Sequence, residues 1–142
     1  MSSIETYANI IEGEGLIVGR FPDDARRLWF RYEGERYQLF TCDDDSDFVG
    51  ISATYSIPKG ISRAVALRET NEFSRKMKVV KATIDADRGV VIGAETFVSE
   101  PEVLRPIFLR LVSNIDYTSG NLYRRFREIV EASGKTPVTV AL

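Results

Sequence analysis

The sequence predicts an α+β fold, in which helices pack on one face of an antiparallel sheet of about five strands in the order α-β-β-β-α-β-β-α. In several segments apolar residues alternate with polar ones, which is the period of a strand with two different faces. In others they recur every three or four positions, which is the period of a helix with one buried side. Because strands come in groups between the helices, neighbouring strands can pair as antiparallel hairpins.

The first predicted elements are a helix and a β-hairpin. Apolar residues recur at helical spacing after Ser2 and Ser3, either of which can cap the chain, so we expect a helix over about residues 3–13. The run 28–32 alternates, and the run 37–41 follows it after a Glu-Gly-Glu turn. These two runs predict the hairpin.

The clearest strand covers residues 49–57. Its apolar residues alternate with small and polar ones, so its two faces differ, and Pro58 ends it. Ser62 is a suitable N-cap for the apolar stripe that follows, which predicts a second helix over about 63–76.

A second hairpin and a long helical region complete the chain. The β-branched runs 79–85 and 90–98 are joined by a turn sequence that ends in glycine. Ser99-Glu100-Pro101-Glu102 fits a capping box that opens the last helical region, whose apolar face extends over 104–130. Pro106 should kink this helix or delay its start, and Gly120 could bend or split it.

The chain is expected to form a single domain. Its 142 residues are 44% hydrophobic, which is enough apolar material for one core. No repeat, low-complexity segment or linker rich in Pro, Gly and Ser divides it. We therefore assign residues 1–134 to one α+β domain and 135–142 to a C-terminal tail, either disordered or an edge strand.

The segment 71–91 resembles the central signature of the bacterial YbjN family. That signature has an Asn-x-aromatic-Asn pattern on a helix, a Lys-rich strand, an Asp-Gly turn and an apolar strand. Asn71 and Phe73 match the pattern, whereas Ser74 stands where a second Asn is usual. The resemblance covers about residues 28–130 and implies the fold of type III secretion chaperones. It also implies a regulatory or sensory-transduction role, or the binding of an effector chain, without a cofactor.

Several classes of function are disfavoured by composition. The chain has no histidine, which excludes Ser-His-Asp, Cys-His and zinc-hydrolase chemistry, and Cys42 is its only cysteine, so no intramolecular disulfide can form. The net charge of −2 gives no footprint for nucleic acid or for an anionic membrane. No signal peptide or membrane helix is predicted, so we expect a cytoplasmic protein that is not an enzyme.

An acidic segment after the first hairpin, Asp43-Asp44-Asp45-Ser46-Asp47, resembles a calcium-binding loop only in its alternate carboxylates. An EF-hand that starts at Asp43 needs glycine where Phe48 stands and a bidentate glutamate where Thr54 stands. We therefore predict a solvated turn and no metal.

The candidate binding site lies on the second face of the sheet. If Leu28 and Phe30 face the helices, Trp29 points to the other side, where Phe40 and Phe48 join it in one register. This patch could contact a protein partner, or the C-terminal helix or tail could cover it. The length of the last helix also favours a homodimer. The competing hypothesis is a small-molecule sensor or an enzyme that uses carboxylates, for example Glu95 with Asp85.

Overall fold

The structure, a computed structural model, describes residues 2–134. The predicted tail, 135–142, lies outside the described residues. The elements in chain order are α1 (Ser3–Gly13), β1 (Val18–Phe21), β2 (Asp24–Tyr32), β3 (Glu35–Thr41), β4 (Phe48–Tyr55), α2 (Arg63–Lys76), β5 (Lys81–Asp85), β6 (Gly89–Phe97), a 3₁₀ helix (Pro101–Leu104) and α3 (Phe108–Ala132).

The strands form one antiparallel sheet in the order β1-β2-β3-β4-β6-β5. The predicted α+β class and order of elements are confirmed, with one strand more than expected. The additional strand, β1, has only four residues, and such a short segment cannot display a clear alternation in sequence.

The two faces of the sheet differ in what covers them. One face, called the helix face below, carries Leu28, Phe30 and Ile51 and is buried against α1 and α3. Phe30 contacts Phe108 at the start of α3, with ring centroids 5.3 Å apart. We call the opposite side, which carries Trp29, the open face.

Helix α2 lies beside the edge strand β5. The predicted helix and its cap are confirmed, since Ser62 Oγ accepts a hydrogen bond from the backbone N–H of Val65. On the last turns of α2 the Ser74 hydroxyl donates to the carbonyl of Ala82 and accepts from its N–H, both at 2.8 Å. One side chain thus satisfies both backbone groups of a residue in the edge strand, which protects that edge from pairing with another chain.

Replacing Ser74 with alanine should lower the free energy of unfolding by about 1–2 kcal/mol, because two hydrogen bonds to partly buried backbone groups are lost. Ser74→Asn should retain most of the stability, because a carboxamide also donates and accepts. The matched control is Ser113→Ala, whose exposed hydroxyl bonds only to the carbonyl of Arg110. Urea unfolding measures all three variants, and equal stability of Ser74→Ala and Ser113→Ala would contradict the assignment.

A predicted strand start and a predicted helix cap are wrong. Strand β5 begins at Lys81 and not at residue 79, because Val79 has φ 71° and the N–H of Val80 bonds to the carbonyl of Lys78 in a tight turn. The capping box is absent: Glu100 caps the 3₁₀ helix without a side-chain hydrogen bond. The Glu102 carboxylate accepts from the Arg105 guanidinium instead.

The last helix is continuous. It begins at Phe108, after Pro106, and Gly120 lies inside it without a break. Buried residues on either side of the glycine, Ser119 and Leu122 among them, keep the helix in place, and their packing outweighs a cost of about 1 kcal/mol for glycine in a helix. Within residues 2–134, no helix combines the length and apolar character required to cross a membrane.

Candidate functional site

The centre of the open face has small residues on β4 and β6, namely Gly50, Ser52 and Gly93. One row of register partners crosses all six strands, and its members are Lys81, Gly93, Ser52, Gln38, Trp29 and Gly19. Gly50 lies beside the row on β4, and the alternation predicted for this strand places its small residues on this face. The result is a groove over the middle strands.

The groove has a volume of about 660 Å³ and a mixed lining. Phe40 and Val91 contribute apolar surface, whereas Gln38, Thr83 and Glu95 contribute polar groups. This size falls in the range of sites that hold a small ligand or the side chains of a peptide.

The rim of the groove beside β5 contains a strained residue. Val79 lines the groove, is 57% exposed and has a positive φ, a conformation that is rare for a β-branched residue. Next to it, the Lys81 ammonium donates to the carbonyls of Ser74 and Met77 and so caps the end of α2. Strained backbone of this kind is often found where a protein contacts a ligand.

Three phenylalanines at one end of the groove form what we call the Phe cluster: Phe40, Phe48 and Phe97. The ring of Phe48 is 5.9 Å from that of Phe40 and 6.1 Å from that of Phe97. Phe40 lies over Gly50, where a Cβ atom would be 2.3 Å from the ring. Phe97 is 71% exposed, so the cluster presents apolar surface to solvent.

Trp29 belongs to a second group, which we call the Trp–Arg cluster: Trp29, Phe21 and Arg36. The Trp29 ring covers Gly19, whose added Cβ would lie 2.2 Å from it. The Arg36 guanidinium lies over Trp29, 5.0 Å from the ring centroid, and 5.5 Å from that of Phe21. Arg27 also lies over Phe21, at 4.1 Å.

The predicted site residues therefore lie on the same face but in two clusters. Phe40 and Phe48 contact each other, whereas Trp29 contacts Arg36. Sequence reasoning missed Phe97, although its position in β6 has the parity of Val91 and Gly93 and so places it on the open face. It also missed Phe21, because β1 was not predicted.

The open face is not covered by the C-terminal helix. Helix α3 packs on the helix face through Phe108, and Tyr123 there donates a hydrogen bond to the carbonyl of Ser56. Burial of the patch under this helix is therefore wrong, whereas burial under the tail concerns residues 135–142, which lie outside the described part of the chain.

Most charges near β2 neutralise one another. Hydrogen bonds from the side chain and backbone N–H of Arg26, together with the Arg27 side chain, lower the pKa of Asp24 to about 2. Its two oxygens lie 3.1 Å from Arg26 Nε and 2.9 Å from Arg27 Nε. Arg36 differs, because it forms no ion pair with any residue between 2 and 134.

The candidate carboxylate pair does not converge. Asp85 accepts hydrogen bonds from the backbone N–H groups of Asp87 and Arg88 and from the Arg88 side chain, which hold its pKa below the usual range. Its register partner is Gly89, six residues along β6 from Glu95. That separation is about 20 Å in a strand, so the two carboxylates share no site.

The acidic loop 43–47 forms a turn. Asp45 Oδ1 accepts a hydrogen bond from the backbone N–H of Asp47 at 3.0 Å, and the aspartates of this loop are exposed. In the part of the chain that the structure describes, no group of three or more potential ligands is arranged to hold a metal ion.

Comparison with known proteins shows the fold but no family. No protein-family model matches the chain, and no curated protein does. A similar solved structure is an uncharacterized protein from Methanothermobacter thermautotrophicus, with a TM-score of 0.62 and 13% identity over 89% of this chain and 97% of that one. Another is the Yersinia pestis type III secretion chaperone SycH in complex with a stable fragment of YscM2, with a TM-score of 0.50 and 12% identity over 82% of this chain and 99% of that one.

These similarities confirm the type III secretion chaperone-like fold that the resemblance at residues 71–91 implies. They do not confirm membership of the YbjN family. At these identities the similarity concerns the fold alone.

Proposed function

We propose that this protein is a non-enzymatic binding module, chaperone-like or a regulatory adaptor, that holds a partner polypeptide on its open face around Trp29, Phe40 and Phe48. The observation that carries the proposal is the Phe cluster, in which Phe97 exposes 71% of its surface beside a groove with a floor of small residues. Clustered exposed aromatic residues are typical of surfaces that bind other proteins.

The shape of the open face also favours a polypeptide. The groove lies over β4 and β6 and has the Phe cluster at one end, so an extended segment could lie along it with apolar side chains on the rings. A protein with the same fold, SycH, was solved with a stable fragment of another protein bound. That precedent supports a polypeptide as the ligand of this chain.

The proposal predicts that Phe48→Ser/Phe97→Ser abolishes partner capture and weakens binding of the purified partner at least tenfold, because anchor aromatic residues are lost. The measurement is affinity capture from the source cell with quantitative mass spectrometry, followed by calorimetry with the purified partner. Tyr117→Ser is the matched control, since Tyr117 is 65% exposed but lies on α3, away from the open face. Recovery of the same proteins by all three baits would overturn the proposal.

A small-molecule sensor is the second candidate, and the mixed lining and volume of the groove favour it. Such a ligand would contact Gln38, Thr83 and Lys81 in the middle of the groove. Its binding should therefore survive the loss of Phe48 and Phe97, which distinguishes it from a polypeptide anchored on the Phe cluster.

Homodimerisation and a cytoplasmic location remain predictions. Exposed apolar side chains at Ile107 and Leu109 give the start of α3 a surface separate from the open face. A dimer formed there would leave the partner-binding surface of each protomer accessible.

A further inference from the structure

We infer that the bound polypeptide carries an acidic side chain that lies between Arg31 and Arg36, about six residues along an extended segment from an apolar residue on the Phe cluster. This inference rests on the proposed function and specifies the chemistry of the partner. Its evidence is the arrangement of the arginines on the open face.

Arg36 is a preorganised donor. Its guanidinium lies over the rings of Trp29 and Phe21, 5.0 and 5.5 Å from their centroids, which restricts its position, and within residues 2–134 none of its N–H groups has a hydrogen-bond acceptor. A planar guanidinium held in this way matches the two oxygens of a carboxylate. Few rotamers remain to be fixed when a ligand binds, so less conformational entropy is lost.

Arg31 adds a second positive charge at the same place. It is the direct register partner of Arg36 on the adjacent strand, and like charges opposite each other are unfavourable in a sheet. The charge of Arg31 acts on the Glu35 carboxyl and lowers its pKa against the effect of burial, but Arg31 forms no ion pair in the described part of the chain. A carboxylate between the two guanidinium groups would relieve this repulsion.

The neighbouring Arg27 provides the contrast. It lies on the same face of β2, two residues from Trp29 on the side away from Arg31. Its Nε atom is 2.9 Å from a carboxylate oxygen of Asp24, which neutralises its charge. Asp24 thus forms an ion pair with Arg27, whereas Arg31 and Arg36 form none within residues 2–134 and remain available to an external carboxylate.

The separation between the acidic and the apolar residue of the partner follows from the register of β3 and β4. Gln38 pairs with Ser52, so Arg36 lies beside Thr54, six residues from Phe48 on the same strand. Six residues of extended chain cover about 20 Å. A partner segment that runs along β3 and β4 from Phe48 to Arg36 would thus place its acidic and apolar residues at about that separation.

A polypeptide with single carboxylates fits this face better than a polyanion does. The net charge of the chain is −2, and Glu95 and Asp24 both line the groove. A nucleic acid strand laid along the groove would bring its phosphates against these carboxylates.

The test uses dodecapeptides displayed on phage and selected against the full chain. Selected sequences should contain Asp or Glu about six residues from an aromatic or aliphatic residue. For a selected peptide, Glu→Gln should weaken binding about tenfold to the wild type but leave binding to Arg31→Gln/Arg36→Gln unchanged. The fluorescence of Trp29, the only tryptophan, reports binding directly.

Two control variants test whether binding depends on the planar shape of the arginine side chains and on their position, and not on positive charge alone. Arg31→Lys/Arg36→Lys keeps both charges but loses the planar donors, so it should bind the acidic peptide less well than the wild type but better than the glutamine variant. Arg110→Gln/Arg124→Gln removes two exposed charges from α3 and should bind like the wild type.

The outcomes distinguish this inference from the proposed function. Peptides that need Phe48 and Phe97 but show no acidic preference would overturn the inference alone. Selected peptides that are insensitive to both the Phe and the Arg variants would overturn both. Binding of a twelve-nucleotide single-stranded RNA that is lost in Arg31→Gln/Arg36→Gln would also overturn the inference, because the pair would then serve phosphate.

Discussion

Gly89→Ala should lower the free energy of unfolding by about 3 kcal/mol. Gly89 begins β6 with φ +94°, and a Cβ added there would lie 2.5 Å from the carbonyl oxygen of Tyr55. Alanine at positive φ costs about 1–2 kcal/mol, and displacing a backbone carbonyl in a packed region adds about 1–3 kcal/mol. Urea unfolding followed by circular dichroism measures the loss.

Gly34→Ala is the matched control for this prediction. Gly34 lies in the turn between β2 and β3 with φ +80°, but a Cβ added there has no heavy atom within 4 Å. Only the conformational cost remains, so the variant should lose about 1 kcal/mol. Equal losses at the two glycines would show that the chain beside Tyr55 does not approach β6 as the structure describes.

The fold could be read from the sequence where one local pattern was sufficient. The alternation from Val49 to Tyr55 gave β4 and its two faces, and Ser62 gave the start of α2. A predicted strand boundary was wrong where the backbone conformation of a single residue departed from the pattern. Val79 looks like the start of a β-branched strand, but its positive φ belongs to a turn that no local propensity indicates.

The site could be predicted only in part, because its clusters depend on register. The parity of β2 placed Trp29 on the open face, where Phe40 and Phe48 also lie, but these two rings form a cluster separate from Trp29. That Phe97 meets Phe48 follows from the pairing of β4 with β6, two strands separated along the chain by α2 and β5. The position of the Arg36 guanidinium over the Trp29 ring depends on the conformations of both side chains, which the spacing of residues along the chain does not determine.

Ser74 shows how one hydroxyl group can occupy both backbone groups of a residue at the edge of a sheet. An asparagine at this position would offer one donor and one acceptor to the edge of β5, and the serine hydroxyl does the same for Ala82. The edge is therefore closed by α2, and the open face remains the surface of the sheet on which the partner-binding proposal rests.

Phe108→Ala should have the largest effect on stability, a loss of about 3–5 kcal/mol, because a fully buried ring at the start of α3 is replaced by a cavity. The adjacent Leu109 is 38% exposed, so Leu109→Ala should cost less than about 1 kcal/mol. Chemical unfolding measures both, and a cycle with Phe30→Ala should show a coupling of about 0.5–1.5 kcal/mol between the two rings.

The same variant tests whether the open face is free of α3. Trp29 is the only tryptophan and lies on the side of the sheet opposite Phe30. If α3 packs on the helix face, Phe108→Ala destabilises the protein while the emission maximum of Trp29 in the folded state stays unchanged. If the helix covered the open face, the cavity would form against Trp29 and shift its emission. A large loss of stability without a spectral shift would therefore show that α3 does not cover the Phe cluster and the Arg31–Arg36 pair, as the proposed function requires.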